Sequence, residues 1–148
     1  MQQILLFLMA VVAGAMLAVQ AGLNSAIGKA VSSPVYGALI SFVTGGIALL
    51  AYCLVTGVQL NTLRRAFELP WYYWLGGVLG GFYVFAIIVL APRLGVAVTI
   101  ALTVAGQMIF SLVIDHFGLL GIPAHPVNWY RVLGIAAIIG GVVMLRSN

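Results

Sequence analysis

"LGVAVTIALTVAGQMIFSLVI", Leu94–Ile114, contains no charged residue. Crossing about 30 Å of hydrocarbon takes roughly 20 apolar residues in a helix, and this stretch supplies them. Four more apolar windows follow from the same reading: Ile4–Asn24, Val35–Val58, Trp71–Ala91 and Trp129–Leu145, the last with Arg131 near its start. A lipid-exposed backbone must bond to itself, so each is read as a helix, and the strand-like alternation of a membrane barrel is absent. The predicted fold is an all-α integral membrane protein with five transmembrane helices.

Composition supports the same class. Of 148 residues, 64% are hydrophobic and 5% are charged, whereas soluble domains carry roughly 25% charged residues. Two acids and six bases cannot cover a soluble surface. The net charge of +4 does not point to nucleic acid, because the bases are scattered and form no stripe. Cys53 is the one cysteine and reads as a small hydrophobe inside an apolar run. His116 and His125 share one loop and read as interfacial residues rather than ligands. No nucleophile–base pair, metal-ligand spacing or phosphate loop is found, so no enzyme activity, metal or cofactor is expected.

The N-terminal "MQQILLFLMAVVAGAML" resembles the apolar core of a signal peptide. It lacks the basic flank and stays apolar to about Gly22, so it reads as a retained first span. The connections are short: "GKAVSSP", "GVQLNTLRRAFELP", a tight turn at Pro92–Arg93, and the Gly/Pro-marked "DHFGLLGIPAHPVN". One five-helix domain, residues 1–148, is expected.

With five spans, Arg64, Arg65 and Arg131 fall on the N-terminal side of the membrane, and Lys29, Arg93 and Arg146 on the other. Orientation follows Lys/Arg asymmetry, and here there is almost none. The sharper reading is dual topology, in which copies insert both ways; the plainer one is a single orientation set by a weak bias. The aromatic clusters "WYYW" (Trp71–Trp74) and Trp129–Tyr130 both lie on the N-terminal side. An antiparallel pair of copies would give each interface one belt.

Membrane helices associate by close backbone approach at small residues. "GGVLGG" offers two overlapping pairs, Gly76 with Gly80 and Gly77 with Gly81, for packing within one chain or between two. An antiparallel homodimer would have ten helices and an inverted repeat, the architecture that secondary transporters use.

A polar row, Thr99, Thr103, Gln107, Ser111 and Asp115, recurs every four residues along the fourth span. Thr and Ser can bond to the preceding carbonyls, but a buried amide needs partners. Asp115 lies near the boundary. It either anchors the following loop, with His116 or Arg131, or is a titratable group at a cavity mouth that couples protons. Gln20 and Asn24 are also four apart, late in the first span, while Gln107 is late in the fourth and so nearer the N-terminal side. In an antiparallel partner those depths invert, which would bring Gln107 of one copy to Gln20 of the other. Tyr83 adds a mid-span hydroxyl, as core or as cavity lining.

The blocks "QAGLNSAIGKAVSSPVYGALISFVTG" (Gln20–Gly45), "LGGVLGGFYV", "APRLGVA", "AGQMIFSLVIDHFGLLG" and "RVLGIAAIIGGVVMLR" together resemble the YdcZ-like branch of the drug/metabolite transporter superfamily. The resemblance covers nearly the whole chain in order. It implies a five-helix protein of the bacterial inner membrane, an exporter whose substrate is unassigned, in a family where dual-topology chains and opposed pairs occur. The motif residues it carries over are Gln20, Asn24, Ser41, Gly76, Gly80, Tyr83, Pro92, Arg93, Gly106, Gln107, Ser111, Asp115 and His116. The small multidrug branch keeps an acid in its first helix. This chain has Gln20 and Asn24 in its first-span polar positions, so that cation/proton mechanism is not carried over.

The functional expectation is a secondary transporter that exports a small molecule by alternating access at a homodimer interface in the lipid bilayer. Gln20, Asn24, Ser41, Tyr83, Gln107 and Ser111 would bind substrate, and Asp115 and His116 would gate or couple protons. The alternatives are a non-transporting helper subunit and a passive channel.

Overall fold

The computed structural model describes residues 2–146. Among them are five α-helices and no strand: α1 (Gln2–Ala30), α2 (Pro34–Thr56), α3 (Leu75–Leu94), α4 (Val96–Phe117) and α5 (Trp129–Arg146). Short 3₁₀ segments, Leu60–Glu68, Trp71–Trp74 and Leu119–Gly121, lie in the connections. All five predicted spans are helices long and apolar enough to cross a membrane. Their large apolar side chains are mostly exposed, for example Phe7 at 73% and Val55 at 87%, as a surface solvated by lipid requires.

The chain divides into two compact units, one ending at Pro92 and the other beginning at Arg93. In the first, α1 packs against α2. Gly28 and Gly37 meet at their crossing: a Cβ on Gly37 would lie 3.1 Å from the Gly28 Cα and 3.1 Å from the Ile88 Cδ1. The side chain of Ile88, on α3, thus closes onto the bare backbone of both helices. Ala38, Val84 and Ile88 form a small buried cluster with Tyr83 and Phe85 against it. In the second unit, α4 packs against α5.

The helix ends follow local chemistry and depart from the expected bounds. Ser33 caps α2, its hydroxyl accepting from the Tyr36 N–H at 3.4 Å, and Pro34 occupies the first turn. α1 runs six residues past Asn24, so Gly28 and Lys29 are helical rather than part of the connection. The turn between α3 and α4 is at Gly95, not at Pro92–Arg93. Pro92 is helical, α3 continues to Leu94, and only Gly95, at φ +83°, turns the chain. A proline here removes one helical hydrogen bond, which membrane helices tolerate because local adjustments and neighbouring groups satisfy the freed carbonyl. Likewise α4 continues through Asp115 and His116, until Gly118 at φ +60° ends it.

Candidate functional site

The first-span amides converge on the second span. Gln20, Asn24 and Gly28 are four apart and share the α1 face that meets α2. The Asn24 amide donates to Ser41 Oγ at 3.0 Å, and the Gln20 amide reaches the same oxygen at 3.5 Å. Asn24 is buried and Gln20 exposed. Ser25, next along α1, is buried and bonded to the Ala21 carbonyl at 2.8 Å. A shared acceptor fixes Asn24 firmly and leaves Gln20 with donor and acceptor capacity to spare.

Gln20, Asn24 and Ser41 lie in a largely apolar groove of about 450 Å³, whose wall includes Met16, Leu23, Ile27 and Ile40. Its size falls in the range of small-molecule sites, which pair apolar walls with a few placed polar groups. Thr44 also lines the groove. The sequence reading missed it, although it lies one helical turn from Ser41; its hydroxyl is held by the Ile40 carbonyl at 2.9 Å. Gly28 was missed because the first span was ended too early. Its spacing from Gln20 and Asn24 was the available signal. Tyr83 is half-buried against the Ala38–Val84–Ile88 cluster and is not among the groove-lining residues.

The polar row of α4 splits. Thr99, Thr103 and Ser111 satisfy themselves on Gly95, Ile100 and Met108 carbonyls at 2.8, 2.9 and 3.0 Å. Gln107 does not: it is exposed and its side chain makes no hydrogen bond among the described residues. It sits at the middle of the 22-residue α4, deeper than the sequence bounds placed it, because the helix begins and ends later than those bounds.

At the far end of α4, Asp115 and Arg131 form an ion pair at 3.1 Å, both partly exposed. The Asp115 carbonyl accepts from the His125 N–H at 2.7 Å, and the His125 carbonyl accepts from Arg131 at 3.4 Å. His116 Nδ1 accepts from the Val127 N–H at 3.2 Å. Asp115 and His116 thus both tie the 118–128 loop to the end of α4. Beside them, Ser111, Asp115 and Arg131 line a hollow of about 290 Å³ between α4 and α5. Of the glycines in "GGVLGG", Gly80 faces a neighbour, with its Cβ position 3.2 Å from the Phe42 ring; Gly76, Gly77 and Gly81 face open space.

Five helices long and apolar enough to cross a membrane, with two amides converging on Ser41 in a largely apolar groove, define a multi-pass membrane protein with a candidate small-molecule site. The sequence model of the family described as "Putative inner membrane exporter, YdcZ" matches residues 5–144, and the chain belongs to that family. Over 78 residues it is 33% identical to the inner membrane protein YdcZ of Escherichia coli (strain K12). That stretch is 53% of this chain and 52% of the relative, so the match spans about half of each. No solved structure matches the chain.

Proposed function

We propose that this protein is a secondary exporter of a small molecule, working as an antiparallel homodimer by alternating access. The observation that carries the reading is the convergence of Gln20 and Asn24 on Ser41 inside an apolar groove of about 450 Å³. In hydrocarbon, an amide with unused bonding capacity is costly, and Gln20 and Gln107 both have it. A polar substrate, or a second copy, satisfies them.

The dimer reading rests on the three-to-three split of Lys and Arg across the membrane. With copies inserted both ways, a residue at the middle of a helix keeps its depth. Gln107 of one copy then comes within reach of the Gln20–Asn24–Ser41 groove of the other. Ser111 extends that wall, Tyr83 stiffens α3 behind the groove, and Asp115 and His116 gate one mouth by holding or releasing the 118–128 loop. Rocking of one copy against the other exposes the groove to each side in turn. Gly76, Gly77 and Gly81, whose Cβ positions face open space, provide a close-approach surface between copies.

The test is export from cells. Small molecules in the medium are profiled for cells expressing the wild type, Asn24→Leu or Gln107→Leu at matched protein levels. A solute that accumulates with the wild type and with neither variant supports the reading. Accumulation that persists in both variants overturns the site, and no accumulating solute favours a helper subunit. Flux that fails to saturate in vesicles points to a channel. Reporters fused after Arg146, one active inside the cell and one outside, test the dimer separately. Signal from one side alone removes the inverted partner.

A further inference from the structure

The connection between α2 and α3 is built differently from the others. Gly57, at φ +70°, ends α2, and the nine residues Leu60–Glu68 then wind as a 3₁₀ helix in which no residue is fully buried. Three residues per turn put side chains three apart in line. Leu60, Leu63 and Ala66 form an apolar stripe, Thr62, Arg65 and Glu68 a polar one, and Asn61, Arg64 and Phe67 a mixed one between them.

The segment is too short and too charged to span, yet its apolar side chains are uncovered. Phe67 is 77% and Trp71 74% exposed, and Leu63, Leu69 and Trp74 are exposed as well. The aromatics form a ledge: Phe67 packs on Trp74 at 5.4 Å, and Tyr72 stacks on Tyr73 at 4.9 Å. The Phe67–Trp74 contact ties the 3₁₀ helix to the start of the third span. Arg64 and Arg65 stand exposed beside this ledge. Neither guanidinium pairs with Glu68 or with any other group among the described residues. Arg131, by contrast, is held by Asp115, and Lys29 and Arg93 stand singly in the last turns of their helices.

We infer that residues 60–74 lie flat in the membrane–water interface and that Arg64 and Arg65 bind the phosphate of an anionic phospholipid. Glu68 is the one acid in the segment against two arginines, and the rest of the segment fits that occupant. A guanidinium fork matches a phosphodiester. Trp and Tyr rings sit by preference at headgroup depth, and an apolar stripe below a cationic edge is the pattern of an interfacial helix. Charge complementarity selects an anionic lipid over a zwitterionic one. The inference is independent of transport and holds for either insertion orientation.

The test uses the purified full-length chain in detergent, where orientation has no influence. Retention of dioleoyl phosphatidylglycerol and of dioleoyl phosphatidylcholine is read by native mass spectrometry. The wild type should retain phosphatidylglycerol preferentially. Bonds between a guanidinium and a phosphate are charge-assisted, so the R64Q/R65Q pair should lower retention at least about fivefold. The K29Q/R93Q pair should leave it unchanged. Equal loss in both pairs, or no loss in R64Q/R65Q, overturns the site. Displacement of the lipid by millimolar inorganic phosphate would reduce it to a free-phosphate site and also overturn the proposal. A second measurement needs no variant. In bilayer discs, adding phosphatidylglycerol to phosphatidylcholine should slow amide exchange over residues 60–68 and leave the 119–127 loop unchanged. Equal slowing in both loops counts against a specific site.

Discussion

The α1–α2 face and the polar row of α4 both carry polar residues at a spacing of four, and they end differently. On α4 the hydroxyls turn back onto their own helix, at Gly95, Ile100 and Met108. On α1 the amides cross to another helix and share Ser41. The difference lies in reach. A Ser or Thr hydroxyl is one bond from Cβ and finds the carbonyl one turn back. A carboxamide extends further and has two donors, so its favourable partner is on a neighbour. Spacing therefore marks a face; joining two helices takes both a side chain long enough to cross and a facing partner, which Gln107 lacks among the described residues.

Four measurements would break or sharpen this contrast, and the largest effect concerns the backbone approach that lets α1 reach α2. Gly37→Leu places carbon where the Gly28 backbone lies 3.1 Å away. It should cost about 3 kcal/mol or more, since overpacking typically costs about 1–3 kcal/mol and here the obstacle is backbone. Unfolding in mixed micelles measures it. Gly77→Ala, which meets open space, is the matched control and should change single-chain stability by less than about 0.5 kcal/mol. Equal effects at both sites would mean that the Gly28–Gly37 crossing is not where the helices touch.

Next in size is the Asn24–Ser41 bond. A double-mutant cycle with Asn24→Leu and Ser41→Ala should return a coupling of about 0.6 kcal/mol and at most about 1.7, the range for interhelical hydrogen bonds in membranes. Zero coupling would make the 3.0 Å contact energetically idle and weaken the contrast with α4.

The Asp115–Arg131 pair comes third. Its members are 31% and 34% exposed, so Arg131→Gln should cost at most about 1 kcal/mol in global stability. Its clearer signature is local: amide exchange at His125, whose N–H is held by the Asp115 carbonyl, should quicken several-fold. Unchanged exchange at His125 would show that the ion pair does not hold the loop.

The smallest effect should come from Ser111→Ala. The hydroxyl serves its own helix, at Met108, and its loss should change stability by less than about 0.5 kcal/mol. A cost above 1 kcal/mol would reveal a partner on another helix or another copy and would bring the two faces together.

Much of the fold was legible because hydrocarbon thickness is a ruler. Four charge-free windows of about that length, and a fifth with Arg131 near its start, had to be helices, and they are. Helix ends were less legible because they depend on single dihedrals. Pro92 read as a turn residue, but one missing hydrogen bond did not outweigh the remaining helix, and Gly95 turned the chain instead. Asp115 and His116 read as loop residues because they are polar, yet the stop came at Gly118. Within the candidate site, the spacing of Gln20 and Asn24 pointed to one face. Ser41 as their shared partner depends on two helices crossing at Gly28 and Gly37, and no spacing within one helix encodes that.

The sequence by itself determined the number of spans, their helical form and the residue types that lie at membrane depth. Those follow from local quantities: chain length, transfer cost and the need of every peptide group for a partner. Only the tertiary structure decided which amides meet, which glycines touch backbone and which cations stay unpaired. Those depend on distances between residues far apart in the chain, and packing, rather than pattern, sets such distances.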